Sequence, residues 1–152
     1  MAAKVSAGLL LYRRTPSLEL LLGHMGGPFW ARKDDRAWSI PKGEYPSDEE
    51  AFAAARREFA EELGSPPPDV DYLDLGSERL PGGKVLRVWA GESDFDATPI
   101  ISNSFDLEWP PRSGRMQAFP EIDRARWCTP DLARSKLVAS QVVFVDRLLA
   151  ML

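Results

Sequence analysis

Apolar and polar positions alternate along the chain in short blocks that predict strands in its first quarter. Residues 5–12 are almost continuously apolar, which is typical of a strand that is buried on both faces. Residues 18–22 predict a second strand, and the turn residues at 15–17 favour a hairpin between the two. Residues 24–37 have the composition of an irregular loop, and residues 38–40 predict a short strand before Pro41.

The strongest helical pattern covers residues 48–63. Ser47 is the predicted N-cap, and Glu50 three residues later would complete a capping box. The acidic residues that follow Ser47 suit the positive end of a helix dipole. Gly64 is a good residue to end the helix, and the three prolines at 66–68 prevent its continuation.

The second half of the chain predicts further strands and a closing helix. The predicted strands are residues 72–78, 84–90, 105–109 and 124–128, with a turn at 81–83 and a loop at 110–114. Apolar residues recur at helical spacing through 137–152. Strands on both sides of a central helix, followed by a terminal helix, indicate the α/β class: a mixed sheet covered by helices.

Composition narrows the function classes. The chain has 152 residues, which fits one domain over 1–152. Its net charge of −4 argues against a nucleic-acid polymer as partner, although a small phosphorylated ligand needs only a few local cations. Cys128 is the only cysteine, which favours a reducing compartment and a buried structural thiol. The apolar stretch at 5–12 is too short to span a bilayer, so we expect a soluble, cytoplasmic protein without membrane contact.

Three glutamates crowd the end of the predicted helix. Because a helix turns by about 100° per residue, Glu58, Glu61 and Glu62 share an arc of about 100°, displaced from the apolar stripe. Glu58 and Glu62 are like charges at i,i+4, and acidic groups at a helix C-terminus oppose the dipole. A hard divalent cation would remove both penalties. From spacing alone, a solvated acidic face explains the cluster equally well.

The segment before the helix favours the metal interpretation. Gly43 permits close backbone approach or unusual dihedral angles, and Lys42 is placed to meet phosphate oxygens. A lysine next to a carboxylate helix and a metal ion would form a diphosphate site. Taken alone, Lys42 is more typical of an ordinary surface lysine.

Residues 43–65 resemble the Nudix box, G-x5-E-x7-R-E-U-x-E-E-x-G-U, in which U is a bulky apolar residue. Ser65 departs from the final apolar position, which weakens a packing contact and touches no ligand. The matching residues are Gly43, Glu49, Arg57, Glu58, Phe59, Glu61, Glu62 and Gly64.

The resemblance implies a fold and a set of roles. The fold would be an α/β/α sandwich around a mixed β-sheet. Glu58, Glu61 and Glu62 would bind Mg²⁺ or Mn²⁺, joined by the backbone carbonyl of Lys42. Gly43, Glu49, Arg57 and Gly64 would be structural, with Glu49 and Arg57 paired. Glu121 lies in a late segment where many members place another acidic residue near the metal ions, so it joins the catalytic candidates.

The implied activity is hydrolysis of the diphosphate linkage in a nucleoside-diphosphate derivative. The tract at residues 38–43 is similar to that of members acting on dinucleoside polyphosphates. Substrate choice is expected to depend on residues 24–36 and 110–121, where Arg32, Arg112 and Arg115 are candidates, with Lys42, for holding phosphates. Solvated loop charge is the more common explanation for such arginines.

Two alternatives stay open at this point: a nucleotide-sensing module without turnover, and an isoprenoid-diphosphate isomerase on the same fold. The complete glutamate set argues against the first, and the late, strand-like context of Cys128 argues against the second. Many members of the family dimerise, so the resemblance also leaves a homodimer open.

Overall fold

Nine strands, three α-helices and two short 3₁₀ helices (Pro81–Gly83 and Ala139–Gln141) make up the regular structure of the computed structural model, which describes residues 4–98 and 100–152. In chain order they are β1 (Val5–Arg13), β2 (Glu19–Met25), β3 (Trp38–Ser39), β4 (Lys42–Glu44), α1 (Ala51–Leu63), β5 (Tyr72–Arg79), β6 (Val85–Glu92), β7 (Ser104–Glu108), β8 (Met116–Pro120), β9 (Ile122–Cys128), α2 (Pro130–Lys136) and α3 (Val142–Met151).

Seven of the described strands form one mixed sheet. Its central path runs β3-β2-β1-β6-β5, while β4 also pairs with β1 and β9 with β2. β1 and β6 are parallel, and the other pairs are antiparallel. The predicted hairpins β1–β2 and β5–β6 are both present. β7 and β8 form a separate two-stranded hairpin whose turn contains the predicted loop at 110–114.

The continuous apolar pattern of β1 arises because helices cover both faces of the sheet. Leu9 and Leu11 point into a cluster with Phe59 of α1. Leu10 lies in the cluster on the other face, with Phe144 of α3. Alternate side chains of one strand therefore serve two cores. The expected α/β/α sandwich around a mixed sheet is confirmed.

Helix α1 begins three residues later than predicted. Glu50, in extended conformation, is the N-cap, and its side chain accepts a 2.6 Å hydrogen bond from the backbone N–H of Ala53. The capping box from Ser47 is therefore wrong, because residues 46–49 form a turn in which the N–H of Glu49 donates to the carbonyl of Pro46. The predicted end is correct: Gly64 has φ of 79° and donates to the carbonyl of Ala60.

The remaining differences involve short elements. Residues 42–44, for which no strand was predicted, form β4 because they pair with residues 6–8 of β1. β8 and α2 were not predicted, and the terminal helix begins at Val142 and not at 137. Of the helices described here, none has both the length and the apolar character needed to cross a bilayer.

Candidate active site

Four of the glutamates selected from the sequence line one cleft. Glu58, Glu61 and Glu62 come from the last turns of α1, and Glu121 comes from the residue that separates β8 from β9. The cleft has a volume of about 480 Å³. The rest of its lining is Lys42, Gly43, Glu44, Asn103 and Ser104. The spacing argument and the topology therefore bring the predicted carboxylates and Lys42 to the same place.

Glu62 is the most buried of these carboxylates, with only 9% of the residue exposed. Its Oε1 accepts a long hydrogen bond, 3.4 Å, from the backbone N–H of Lys42. Burial, together with the neighbouring charge of Glu58, raises the pKa of Glu62 to about 8. The helix arithmetic placed Glu62 outside the apolar stripe, but β4 covers that side of the helix. Its charged form is therefore costly in the protein.

Glu58 explains why position 43 carries a glycine. A Cβ built on Gly43 would lie 2.0 Å from Oε2 of Glu58, so any larger residue would displace the carboxylate from its present position. Gly43 is needed for close approach, since its backbone is not in the left-handed region. Burial raises the pKa of Glu58, and the hydrogen bond from Arg57 opposes that rise. β4 therefore packs directly against the acidic end of α1.

Arg57 links the acidic residues into a network. Its guanidinium donates to both oxygens of Glu49, each at 2.9 Å, which is the pairing expected from the motif. It also donates to Glu58 at 2.9 Å and to both oxygens of Glu61 at 3.1 Å. These bonds raise the pKa of Arg57 and lower the pKa of Glu49. Arg57 thus offsets part of the repulsion that the glutamate cluster creates.

Glu121 is held in the cleft by its backbone. Its N–H donates to the carbonyl of Asn103 at 2.8 Å, and its carbonyl accepts from the N–H of Gly26 at 2.9 Å. Asn103 in turn donates to the carbonyl of Glu61 at 2.7 Å. This chain of hydrogen bonds joins α1, the start of β7 and the residue before β9. Asn103 and Ser104 were missed because their place in the cleft depends on these long-range bonds, for which the sequence has no local signal.

The donor set fits a hard divalent cation. Carboxylate oxygens are the ligands that Mg²⁺ and Mn²⁺ prefer, and a cation would lower the cost of ionising Glu62 beside Glu58. In the described part of the chain, no group of three or more Asp, Glu, His or Cys side chains is already arranged to hold a metal ion. Arg57 holds Glu58 and Glu61 by hydrogen bonds.

Three predicted phosphate-binding arginines lie outside the cleft. Arg32 is exposed on the loop between β2 and β3, and Arg112 and Arg115 are exposed at the turn of the β7–β8 hairpin. The structure therefore does not bring them together with the glutamates, and their role in substrate binding stays a prediction.

The aromatic residues near this loop differ in their surroundings. Trp38 is buried in the core, and its indole N–H donates to Asp34. Phe29 is 58% exposed and packs edge-on against Trp109. Trp30 is half-buried and lines a cavity next to the cleft. His24 is fully buried between Asp123 and the carbonyl of Lys33, which is a structural role.

Solved structures share this fold at low sequence identity. An Ap4A hydrolase from C. elegans, in a binary complex, matches with a TM-score of 0.65 and 22% identity over 98% of this chain and 97% of that chain. The NUDIX domain of Shewanella oneidensis NrtR, complexed with ADP ribose, matches with a TM-score of 0.65 and 16% identity over 99% and 89% of the two chains. A NUDIX hydrolase from Nitrosomonas europaea matches with a TM-score of 0.62 and 20% identity over 99% and 90%.

Comparison with curated protein sequences gives no match. The NUDIX domain family model matches residues 3–148, which is nearly the whole chain. The motif at residues 43–65 lies inside that match, and its three C-terminal glutamates line the cleft described above. The chain therefore belongs to the Nudix family.

Proposed function

We propose that the protein is a metal-dependent hydrolase that cleaves the diphosphate linkage of a nucleoside-diphosphate derivative. The observation that supports this best is the convergence of Glu58, Glu61, Glu62 and Glu121 on one cleft together with Lys42. Solvated glutamates on an ordinary helix face would not include a buried carboxylate whose pKa is raised to about 8. A buried carboxylate with a strongly raised pKa is typical of a functional site.

Glu58, Glu61 and Glu62, with the backbone carbonyl of Lys42, would hold Mg²⁺ or Mn²⁺. Bound there, the ion would supply an activated water and neutralise charge that builds up on the diphosphate. The protein's own part is positioning. Arg57 orients Glu58 and Glu61 through its hydrogen bonds, and β4 holds Lys42 beside Glu62.

Proton transfer needs a carboxylate that the motif's metal-binding role does not fully occupy. Glu121 fits this need because it is exposed in the cleft and its backbone is fixed by two hydrogen bonds. A glutamate of the α1 cluster is the other candidate for the general base. The ammonium of Lys42 would bind phosphate oxygens of the substrate.

A dinucleoside polyphosphate is the substrate class that we favour. The tract at residues 38–43 resembles that of family members acting on such compounds, and the fold is shared with the C. elegans Ap4A hydrolase. The isomerase alternative has little support, because Cys128 is buried at the end of β9 and does not line the cleft. Burial also raises the pKa of its thiol.

The test is a hydrolysis assay with Mg²⁺ on dinucleoside polyphosphates, nucleotide sugars, dinucleotide cofactors, oxidised nucleoside triphosphates and isoprenoid diphosphates. We expect phosphate-containing products from one nucleotide class, and their loss in E61Q and E62Q. E92Q is a matched control, because Glu92 is an exposed glutamate on the far end of β6. Tight nucleotide binding without turnover would instead indicate a sensor, and undiminished activity of E62Q would contradict the metal assignment.

A further inference from the structure

A second cavity, of about 650 Å³, adjoins the catalytic cleft. The two share Lys42, Glu62 and Glu121, so a molecule could occupy both at once. The cavity extends from these residues towards Trp30 and Val138. Its volume lies within the range of pockets that bind small organic ligands.

The walls of this cavity differ in character from the acidic cleft. Met25, Trp30 and Val138 are apolar, while Lys84 and Ser140 add polar groups. The Nζ atom of Lys84 lies 3.5 Å from the carboxylate of Glu44 at the surface, in an exposed pair that competes weakly with a ligand. An apolar wall with a few polar groups suits a planar heteroaromatic ring whose edge carries hydrogen-bonding atoms.

Trp30 is fixed in place by a turn with a buried anchor. Its N–H donates to the carbonyl of Gly27 at 3.3 Å, and its carbonyl accepts from the N–H of Lys33 at 3.0 Å. The carbonyl of Lys33 accepts a 2.7 Å hydrogen bond from Nε2 of His24, which is fully buried. The backbone of the turn is therefore anchored, while the indole itself packs against the core and has Nζ of Lys33 at 5.2 Å from its ring centroid. A ring held in this way loses little freedom when a ligand binds.

We propose that this cavity binds the nucleoside part of the substrate, with the ring of Trp30 in contact with the base. The inference rests on the proposed function and adds the orientation of the substrate in the site. The phosphates lie along Lys42 at the boundary of the two cavities, and the base lies on the side of Trp30. Trp30 is then a specificity-determining residue that distinguishes base-containing diphosphates from those without a base.

The test compares substrates with and without a base in W30A and W30F. We expect W30A to lower kcat/KM for diadenosine tetraphosphate about tenfold, mainly through KM, because base–aromatic contacts are worth that much. W30F should retain most of the activity. In W30A, kcat/KM for 5-phosphoribosyl 1-diphosphate, which has a diphosphate and no base, should change less than twofold. W127A is the control, since Trp127 is half-buried like Trp30, lies near the end of β9 and lines neither cavity in the described structure.

Equal losses on both substrates, or no loss on either, would overturn the assignment of Trp30. Binding of ADP, measured by calorimetry in EDTA, keeps the test independent of turnover. If the wild-type protein hydrolyses nothing but binds ADP, and W30A weakens that binding about tenfold, the proposed function fails while the nucleoside site stands. No ADP binding, or tighter binding of isopentenyl diphosphate than of ADP, would overturn the inference.

Discussion

Replacing Glu62 by glutamine should separate the stability of the protein from its activity. Glu62 is a buried carboxylate whose pKa is raised to about 8, mainly by burial and then by the charge of Glu58. The substitution keeps the shape of the side chain and removes the charge. We expect E62Q to lose activity and, in the absence of divalent cations, to lose the pH dependence of stability that Glu62 causes.

The sign follows from the direction of the pKa change. In the unfolded chain Glu62 titrates near 4.5, and in the folded protein near 8, so the folded protein binds the proton more tightly. The contribution of Glu62 to stability is therefore fully present below about pH 4.5 and is lost as the pH rises towards 8. The cost reaches about 3 kcal/mol at pH 7, of which most develops above pH 5.

The measurement is urea unfolding in EDTA between pH 5 and pH 8, monitored by tryptophan fluorescence. The free energy of unfolding of the wild-type protein should fall by about 2–3 kcal/mol relative to E62Q between pH 5 and pH 7. E61Q is the control, because Glu61 is more exposed and is paired with Arg57. Its pH profile should follow that of the wild type. Parallel pH profiles for the wild type and E62Q would refute the reasoning.

Three further predictions concern helix α1 and the strand β4 that packs against it. Gly43→Ala would place a methyl group 2.0 Å from the Glu58 carboxylate, so we expect a loss of kcat of at least about tenfold with a native circular dichroism spectrum; an active variant would contradict the close approach. Arg57→Lys cannot form the two-point pair with Glu49, so the affinity of this variant for Mn²⁺, measured by calorimetry, should fall about tenfold or more. An unchanged affinity would mean that the pair is dispensable. Phe59→Ala should lower the free energy of unfolding by about 3–5 kcal/mol in urea, since the side chain is fully buried; a loss below about 1 kcal/mol would mean that the core closes around the gap.

The sequence could predict the elements whose signals are local. The apolar period of α1, the left-handed Gly64 and the buried strand at 5–12 all depend on neighbouring residues, and all are present. The start of α1 was misplaced because Glu50, and not Ser47, is the N-cap, while the N–H of Glu49 donates to Pro46 in a turn that precedes the helix. The short strands β4 and β8 are created by pairing with other segments, so no local pattern could identify them.

The cleft shows the same division between local and long-range causes. The three glutamates of the motif are recognisable because their spacing on one helix is fixed. Their unequal burial could not be recognised from the sequence, since it depends on β4 packing over Glu62. The arginines expected to hold phosphate sit on loops, whose direction in space the sequence does not determine. The structure places them outside the cleft and places Asn103 and Ser104 inside it.

Arg57 and a bound cation would neutralise different glutamates of this cleft. Arg57 donates to Glu49, Glu58 and Glu61 but not to Glu62, whose hydrogen bond within the described structure comes from the N–H of Lys42 at 3.4 Å. The residue with the highest cost of ionisation is thus the one that the arginine leaves uncompensated. A cation bound at Glu62 would lower that cost, and linkage requires the cation to stabilise the folded protein by the same interaction. The stabilisation of the wild type by Mg²⁺ should therefore exceed that of E62Q, and the difference should grow as the pH rises from 5 to 8.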